Sequence, residues 1–460
     1  MIDVSAAVQL IRDAARPVET ESIRLADAIG RVLADPVISD GDAPPFDKSM
    51  MDGFAISTAD YAAGRTSFQI VDCVVAGQAA PSGLSAGTAV QIMTGAPIPK
   101  GADAVVMIEE TSASPLPSPL HQGEGRTVTI RSEKIRAGQH IMKRGKIYCG
   151  GDHLLSAGHR ISAHDIGLLA EAGASQLAVR RLPVVGVIAT GNEIVSPEQK
   201  PGIGQIRNSN GPLLLGMVAA QHAQPIDLGT ARDEEQALSA AIRRGLASDV
   251  LVLTGGVSAG MLDLVPRVLQ SLGVQQVFHK ISLKPGKPVW FGVHDSGQRR
   301  CLVFGLPGNP VSAFVCFHLL VKEALAVLNG QRVSSSESAS SEPQAQSKFK
   351  NPDRSLAPGF GGEGRVRGVS NSVGGSETTM SEKGDPPQRA FLEQSHEIRG
   401  DRPTYWPSRL NIVDGRAVVE PLPWQGSADQ RCLSHANCLA FFPVGDQTYP
   451  AGSLVEIREL

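Results

Sequence analysis

Four short apolar runs decide the fold: VVGVIAT (184–190), DVLVLTGG (249–256), PVWFG (288–292) and CLVFGLPG (301–308). Helical patterns lie between and after them, near residues 211–222, 233–246, 263–272 and 309–327. Strands that are buried on both faces are continuous runs of Val, Ile and Leu, and parallel strands are joined through helices. We therefore predict an α/β domain over residues 181–330, with a parallel sheet covered by helices on both faces.

The regions on either side of these runs differ in residue composition and hydrophobic pattern. Two helical patterns open the chain, at 4–15 and 24–34, and from Pro44 to about Ile141 short apolar runs alternate with Gly and Pro, which predicts a small β domain. Residues 331–387 hold many Ser, Gly and Glu and few large apolar side chains, so we predict a disordered insertion. Strand-like runs from 388 to 460 predict a terminal β domain.

The composition is that of a globular chain. It has 460 residues, 42% of them hydrophobic, and a formal net charge of −3. A net charge near zero does not indicate a basic surface that binds nucleic acid. No signal peptide and no run of 18 apolar residues is visible. The six cysteines are dispersed without a C-x-x-C pair, which favours inert thiols over disulfides or a zinc site. We expect a cytoplasmic protein without membrane or nucleic-acid partners.

Four loops are predicted at the carboxyl ends of the strands, where open α/β sheets bind ligands. They are TGNEI (190–194), TARDEE (230–235), TGGVSAGMLD (254–263) and GLPGNPVSA (305–313). Each glycine alone fits an ordinary strand-to-helix turn, but four loops at one sheet edge predict a cleft. None matches the Walker A or G-x-G-x-x-G pattern. The candidate ligand-binding residues of these loops are Thr190, Gly191, Gly255, Gly256, Ser258, Pro307, Gly308, Asn309 and Pro310.

The same loops carry three carboxylates: Glu193, Asp233 and Asp263. Acidic side chains beside phosphate-binding loops suit Mg²⁺ held by one or two carboxylates and substrate phosphate oxygens. The alternative is structural, with Asp233 as an N-cap and Asp263 at a helix start. Taken singly, Asp233 and Asp263 each fit the structural alternative, and a Mg²⁺ site made of the three side chains is the second interpretation that the pattern leaves open.

A basic segment, HKISLKPGKPV (279–289), brings Lys280, Lys284 and Lys287 close together. Period-two spacing predicts Lys280 and Lys284 on one strand face, with Lys287 held nearby by the Pro-Gly turn. A solvated basic edge is the usual interpretation of such a run. Its proximity to the loops raises the alternative of an anion site.

The first β domain holds a turn, PPFDKSMMDGFAI (44–56), with Asp47, Ser49 and Asp52, and an MTGAP turn at 93–97. Acidic residues in turns are ordinarily Asx-turn formers. Composition alone does not raise these residues above that interpretation.

The combination of blocks resembles the MoeA/gephyrin family. FDKSMMDGFA (46–55) is similar to a family block that reads FDNSAMDGYA, and IMTGAPIPKGADAVVMIEET (92–111) to the next. TGNEI, GQIRNSN (204–210), TGGVSAGMLD, KISLKPGKPV, GLPGNPVSA and PLPWQGSADQ (421–430) follow in family order. The resemblance covers nearly the whole chain except about 112–126 and 331–387. Lys48 stands where the family usually has Asn, and TGNE where it has TGDE.

The resemblance implies a fold in four parts. Residues 1–43 with 142–180 would form an elongated helical linker, 44–141 an inserted β domain, 181–330 the molybdopterin-binding α/β domain and 388–460 a C-terminal β domain. Family members are homodimers whose active site combines the central domain of one subunit with the inserted domain of the other. This arrangement would bring Asp52 and Thr94 to Glu193 across the dimer.

The resemblance also implies an activity, the insertion of molybdate into molybdopterin-AMP with release of AMP and molybdenum cofactor. Asp52, Thr94, Glu193, Asp233 and Asp263 would be the catalytic residues. The molybdate and phosphate side would be formed by Lys280, Lys284, Lys287, Pro288, Ser312 and Ser427. The molybdopterin adenylyltransferase that supplies the substrate is a candidate partner.

Two other functions remain open from the sequence. Molybdopterin adenylylation is one, because the adenylyltransferases resemble the central domain, although they lack the two β domains. A scaffold is the other, since animal gephyrin also clusters receptors. The complete acidic and basic sets favour catalysis.

Overall fold

The computed structural model describes residues 1–78, 83–112, 127–256, 264–331 and 388–460. All but the first residue of the predicted disordered insertion, 331–387, lies outside these described residues. The predicted fold class, a multidomain α/β chain, is confirmed by the sheets and helices that follow.

Helix α1 (Val4–Ala14) opens the chain. The Asp3 carboxylate caps it by accepting a hydrogen bond of 2.7 Å from the Ala6 N–H. The helix buries Ala7 and Ile11 in the core of the central α/β domain, and Arg12 forms an ion pair of 2.7 Å with Glu323. Although it is first in sequence, α1 therefore packs as part of the central domain.

Short strands dominate the region between α1 and the central domain. In chain order its elements are β1 (Thr20–Arg24), β2 (Val37–Ile38), β3 (Lys48–Ser49), β4 (Gly53–Ile56), α2 (Thr58–Ala62), β5 (Ser67–Val74), β6 (Thr88–Ile92), β7 (Ala104–Met107), β8 (Thr127–Thr129), β9 (Ile141–Met142), β10 (His153–Leu155), α3 (Ala163–Glu171) and β11 (Gln176–Arg180). Five of these strands form one sheet in the order β7-β4-β6-β5-β8. Its core is built on Phe54, Ile56 and Phe68.

The helix predicted at 24–34 is wrong. A single 3₁₀ turn (Leu25–Asp27) follows β1, Gly30 has a φ of +77°, and Leu33 bridges Val179. A glycine in the left-handed conformation ends a helix, so the apolar residues of this segment lie in a turn and a β-bridge instead. The expected linker of helices is also corrected, because it is built largely of paired strands. Strand β1 pairs with β11 and β2 pairs with β10. Apart from α1, which packs with the central domain, α3 is the α-helix among the described residues of the linker.

The central domain begins directly after β11. Its elements are β12 (Val184–Thr190), β13 (Ile194–Val195), β14 (Ile206–Arg207), α4 (Asn210–Ala220), β15 (Gln224–Ala231), α5 (Glu235–Gly245), β16 (Val250–Thr254), α6 (Leu264–Ser271), β17 (Gln275–His279), β18 (Trp290–Asp295), β19 (Arg300–Leu306), α7 (Pro310–Cys316) and α8 (Lys322–Leu328). The sheet order is β15-β12-β16-β19-β18-β17. The prediction of a parallel sheet needs one correction, since β18 runs antiparallel to both β17 and β19.

Helices cover both faces of this sheet, as predicted. On one face Val187 and Val252 pack with α1, α4, α7 and α8, and on the other Ile188 and Leu251 pack with α5 and α6. A π-helical turn (Phe317–Val321) joins α7 to α8. The resulting helix, Pro310–Leu328, is by length and composition apolar enough to cross a membrane, with a mean hydropathy of 1.9. It is 72% buried inside the protein, and core helices pass the same test.

The C-terminal domain is a small barrel. Its elements are β20 (Arg389–Leu392), β21 (His396–Ile398), β22 (Thr404–Val413), β23 (Arg416–Pro421), α9 (Gln430–Leu433), β24 (Cys438–Phe442), β25 (Gln447–Tyr449) and β26 (Leu454–Glu459). Five strands close in the order β20-β23-β22-β24-β26. Tyr405 and Leu439 extend into the core of the central domain, so the barrel is packed against it.

A partly buried ion pair fastens the linker to the central sheet. Arg181 donates from Nη1 and Nη2 to the two carboxylate oxygens of Asp249 at 2.6 and 2.7 Å, and from Nε to Glu19 at 2.6 Å. Asp249 also accepts a hydrogen bond of 2.8 Å from the Val184 N–H at the start of β12. The Asp249 hydrogen bond raises the pKa of Arg181, so the cation is held firmly.

We predict that Asp249→Ala lowers the free energy of unfolding by about 2–3 kcal/mol, because it leaves a half-buried guanidinium without its main partner. The exposed pair Arg24–Asp27, at 2.9 Å, provides a control. Asp27→Ala should change the free energy by less than about 1 kcal/mol. Denaturant midpoints measure both values, and equal losses in the two variants would contradict this role for Asp249.

Candidate functional site

The predicted loops meet in one cavity at the carboxyl edge of the central sheet. The cavity has a volume of about 590 Å³ and lies where β12, β16 and β19 end. The candidates that line it are Thr190, Gly191, Glu193, Asp233, Gly255, Gly256, Pro288, Pro307, Gly308, Asn309 and Pro310. Ser258 and Asp263 lie outside the described residues, so their positions stay predictions.

Glycine at the end of β16 lets two loops touch. Gly255 has a φ of +94°, and a Cβ on it would lie 2.4 Å from the Thr190 carbonyl oxygen at the end of β12. Gly256, with a φ of +61°, is similarly close to the Val265 side chain at 2.8 Å. Any other residue would push the loops apart, so these glycines set the shape of the cavity.

Asn210, which the sequence analysis did not single out, connects the start of α4 to two of the four loops. Its Nδ2 donates to the Thr254 hydroxyl at 2.8 Å and to the Gly308 carbonyl at 2.7 Å. The Thr254 hydroxyl donates in turn to the Pro307 carbonyl at 3.1 Å. Asn210 lines the cavity, and its buried Oδ1 has no partner among the described residues. An Asn at the first position of a helix, in GQIRNSN, was the available signal.

Two of the three predicted carboxylates share this cavity. The Glu193 side chain folds back over its own loop, since a Cβ on Gly191 would lie 2.6 Å from Glu193 Oε2. The Asp233 N–H donates to Asn192 Oδ1 at 3.2 Å, which ties the two loops together. The alternative of Asp233 as an N-cap is wrong, because the N-cap of α5 is Glu234.

The donor chemistry of this cavity fits Mg²⁺. Glu193 and Asp233 offer carboxylate oxygens, the ligands that Mg²⁺ prefers, and Mg²⁺ sites commonly use only one or two of them. Within the described ranges no three His, Cys, Asp or Glu side chains are grouped as a complete metal cage. The cavity therefore fits an ion that also takes oxygens from a substrate.

Lys280 and Lys284 do not share a strand face, so that prediction is wrong. Strand β17 ends at His279, and Lys280 has a φ of +68°, which turns the chain out of the strand. Lys284 Nζ donates to the Arg399 carbonyl of the C-terminal domain at 2.9 Å. Lys287 is exposed and precedes Pro288, which lines the cavity. The lysine segment thus borders the cavity and also holds the barrel.

The C-terminal domain supplies part of the cavity wall. Ser427 Oγ accepts a hydrogen bond of 2.9 Å from Asn309 Nδ2, and its carbonyl accepts the Val311 N–H at 3.0 Å. Ala428 and Gln430 line the cavity beside it. Ser312 is 4% exposed in the first turn of α7, so it lies beneath the cavity surface.

Asp52 and Thr94 lie in the inserted β domain, away from the cavity lining. Asp52 Oδ1 accepts hydrogen bonds from the Thr94 N–H at 2.6 Å and from the Thr94 hydroxyl at 2.8 Å. The backbone hydrogen bond, followed by that of the hydroxyl, lowers the pKa of Asp52. Asp52 is therefore an exposed carboxylate held in place by Thr94, and it is not among the residues that line the cavity with Glu193.

Three family models match the chain in order. They are described as the MoeA N-terminal region (domain I and II), over residues 2–173, a probable molybdopterin binding domain, over 186–327, and the MoeA C-terminal region (domain IV), over 394–460. The matches leave out residues 328–393, which include the whole of the predicted insertion, 331–387.

Individual proteins agree with the family models. The chain is 36% identical to the molybdopterin molybdenumtransferase of Bacillus subtilis over 326 residues, which cover 70% of this chain and 73% of the relative. For the Haemophilus influenzae enzyme of the same name the values are 35%, 69% and 74% over 317 residues. The structure of a MoeA protein from Pyrococcus horikoshii OT3, 24% identical, shares the fold over 100% of both chains with a TM-score of 0.73.

We predict that Thr94→Val raises the pKa of Asp52 part of the way to its ordinary value. The variant keeps the N–H donor but removes the hydroxyl donor, and a hydrogen bond to a carboxylate favours its ionised form. Carboxyl carbon chemical shifts of Asp52 across a pH titration measure the change. Thr94→Ser retains the hydroxyl and should leave the pKa low. A Thr94→Val titration identical to that of the parent would contradict the assignment.

Proposed function

The chain belongs to the MoeA family of molybdopterin molybdenumtransferases, and from this premise we propose that it inserts molybdate into adenylylated molybdopterin with release of AMP. Family membership makes it a transferase of molybdenum cofactor biosynthesis. The adenylylated substrate and the AMP product are the finer part of the proposal. One observation carries it: a single cavity combines close-approach glycine loops, two helix starts and two carboxylates.

The cavity suits a phosphorylated substrate. Helices α4 and α7 begin at its edge with Asn210 and Pro310, and the helix dipole favours anions at helix N-termini. The glycines of β16 allow a ligand to approach the backbone. The unpartnered Asn210 Oδ1 would accept a hydrogen bond from a donor on the organic part of the substrate.

Glu193 and Asp233 would hold Mg²⁺, with Asp263 as the third predicted ligand. When bound, Mg²⁺ supplies charge neutralisation at the phosphoanhydride that is cleaved. The carboxylates of this chain fix its position between the loops that follow β12 and β15. The loops themselves orient the phosphate against the helix starts, and this positioning lowers the barrier.

Molybdate would enter on the lysine side. Lys280 and Lys287 flank the loop that ends at Pro288, and cationic side chains there neutralise an oxyanion. Lys284 would act mainly by fixing this loop to the barrel, since its amine already donates to Arg399. The docked Ser427 segment closes the wall next to the same loop.

The two competing functions fit the chain less well. An adenylyltransferase is expected to resemble the central domain alone, whereas this chain also matches the family's N-terminal and C-terminal regions. A scaffold has no need for carboxylates held above a glycine-lined cavity. In the proposed reaction both β domains contribute residues to the site.

A homodimer with shared sites is part of the proposal. Asp52 is fixed and ionised, yet the described cavity of its own chain does not contain it. Phe46, Met50 and Met51 near it are 42%, 46% and 38% exposed, an apolar surround that a second subunit would cover. The Asp52–Thr94 pair would then face the Glu193 cavity of the partner subunit.

The central prediction is molybdate-dependent release of AMP from molybdopterin-AMP in the presence of Mg²⁺. Glu193→Gln should lower the rate at least about a hundredfold, because it removes a carboxylate that would hold the metal. Glu198→Gln, five residues further along in an exposed turn, is the matched control and should keep the parental rate. If the folded parent protein releases no AMP, adenylylation becomes the favoured function. Incubation with ATP and free molybdopterin would then test it.

Mixing inactive variants tests the shared site. Asp52→Ala and Glu193→Ala chains should each be inactive, and their mixed dimers should contain one intact site. Random reassortment then restores about a quarter of the parental activity, from symmetry alone. Failure to recover activity in dimers shown to have exchanged would place both residues in a site within one chain, and a monomeric parent would exclude the shared site.

A further inference from the structure

A second cavity, of about 400 Å³, lies where the linker meets the central domain. Gly158 and Arg160 of the linker form one side, and Arg12 of α1 and Lys322 of α8 form the other. It has no lining residue in common with the cavity at the carboxyl edge of the sheet.

Positive charge exceeds negative charge around this junction cavity. Its lining contains three cations, Arg12, Arg160 and Lys322, and one carboxylate, Glu323, which is paired with Arg12 at 2.7 Å. Arg160 Nη1 donates to the Gly30 carbonyl at 2.7 Å, and the Gln331 amide, oriented with its oxygen toward Arg160, accepts from Nε and Nη2. These acceptors are neutral. Over the described part of the chain, neither Arg160 nor Lys322 forms an ion pair.

A buried donor points to the same cavity. Asn329 lines it and is only 3% exposed, yet its side-chain Nδ2 has no hydrogen-bond partner among the described residues. Buried amide groups are nearly always hydrogen-bonded, so an orphan of this kind calls for a ligand. Lys322 and Ala326 on α8 and Asn329, which follows the last residue of α8, lie at helical spacing and all line the cavity.

Stabilisation of the helix end does not account for these groups. The last carbonyls of α8, from Leu325 to Leu328, already accept backbone N–H groups of Asn329, Gln331, Gly330 and Val18 at 2.8–3.0 Å. Lys322 lies about two turns before this end, beyond the range of the helix dipole. The cations and the Asn329 amide therefore remain available for another partner.

We propose that the junction cavity binds a phosphate-class oxyanion, with Arg160, Lys322 and the Asn329 amide as its recognition groups. Cationic and amide donors around a half-buried space are the chemistry that holds phosphate in proteins. The anion would bridge the linker to α8 and stiffen the joint between them. Inorganic phosphate and the 5′-phosphate of a mononucleotide share this chemistry, and the site is independent of the function proposed above.

Calorimetric titration of the full chain with inorganic phosphate, AMP and adenosine tests the proposal. Lys322→Gln should weaken phosphate or AMP binding at the junction at least about tenfold, since it removes a charged donor. Arg160→Gln should do the same, but because the Lys322 side chain forms no hydrogen bond within the described residues, Lys322→Gln is the variant that keeps the fold intact. The exposed Arg243→Gln on α5 is the matched control and should bind like the parent.

Hydrogen exchange locates the bound anion. Phosphate should protect the peptides that contain Arg160 and Lys322, and this protection should disappear in Lys322→Gln. Tighter binding of AMP than of phosphate, with the difference lost in Lys322→Gln, would identify a nucleotide as the source. Protection confined to the loops after β12 and β19, binding of adenosine equal to that of AMP, or unchanged affinity in Lys322→Gln would each overturn the proposal.

Discussion

The hydrogen bonds of the Asn210 side-chain amide are the interactions on which the shape of the cavity at the carboxyl edge of the central sheet depends. The strands of the central sheet end in separate loops, and nothing in a parallel sheet fixes such loops relative to one another. Asn210 Nδ2 joins the start of α4 to Thr254 at the end of β16 and to Gly308 after β19. Because the network is buried, leaving any of these groups unpaired would cost more than an exposed hydrogen bond. Both amide hydrogens serve the fold, and the oxygen is left to the cavity.

Burial on two faces explains how much of the fold could be predicted from the sequence. β12 and β16 contain only apolar residues and one glycine up to the threonine that ends each strand, because alternate side chains enter different cores, as Val187 and Ile188 do. Such runs are visible without a structure. β15 and β17 lie at the sheet edges, where most of their side chains are exposed, so neither was recognised as a strand. The apolar residues of 24–34 have helical spacing, but Gly30 and pairing with distant strands override it.

The site was predicted where it depends on local sequence and missed where it depends on distant neighbours. Glycine loops and carboxylates at strand ends follow from position in a β-α unit, and they line one cavity. The partners of Lys284 come from the C-terminal domain, with Arg399 lying 115 positions away in sequence. Period-two spacing cannot anticipate such a contact. The same applies to Ser427, whose docking on Asn309 makes the barrel a part of the cavity wall.

Asp52 shows why one chain is an incomplete unit for the proposed chemistry. A carboxylate that accepts two hydrogen bonds from Thr94 has lost rotational freedom before any ligand binds. Preorganisation of this kind is useful only if a charge or donor is placed opposite, and Asp52 forms no ion pair within the described residues. Its neighbours Met50 and Met51 are apolar and exposed, which favours coverage by protein rather than by water. Asp52 lies in the inserted β domain, whereas Glu193 and Asp233 lie in the central domain. Because they are separate, each domain can fold around its own hydrophobic core. Under the proposed function, assembly of the dimer would then complete the site.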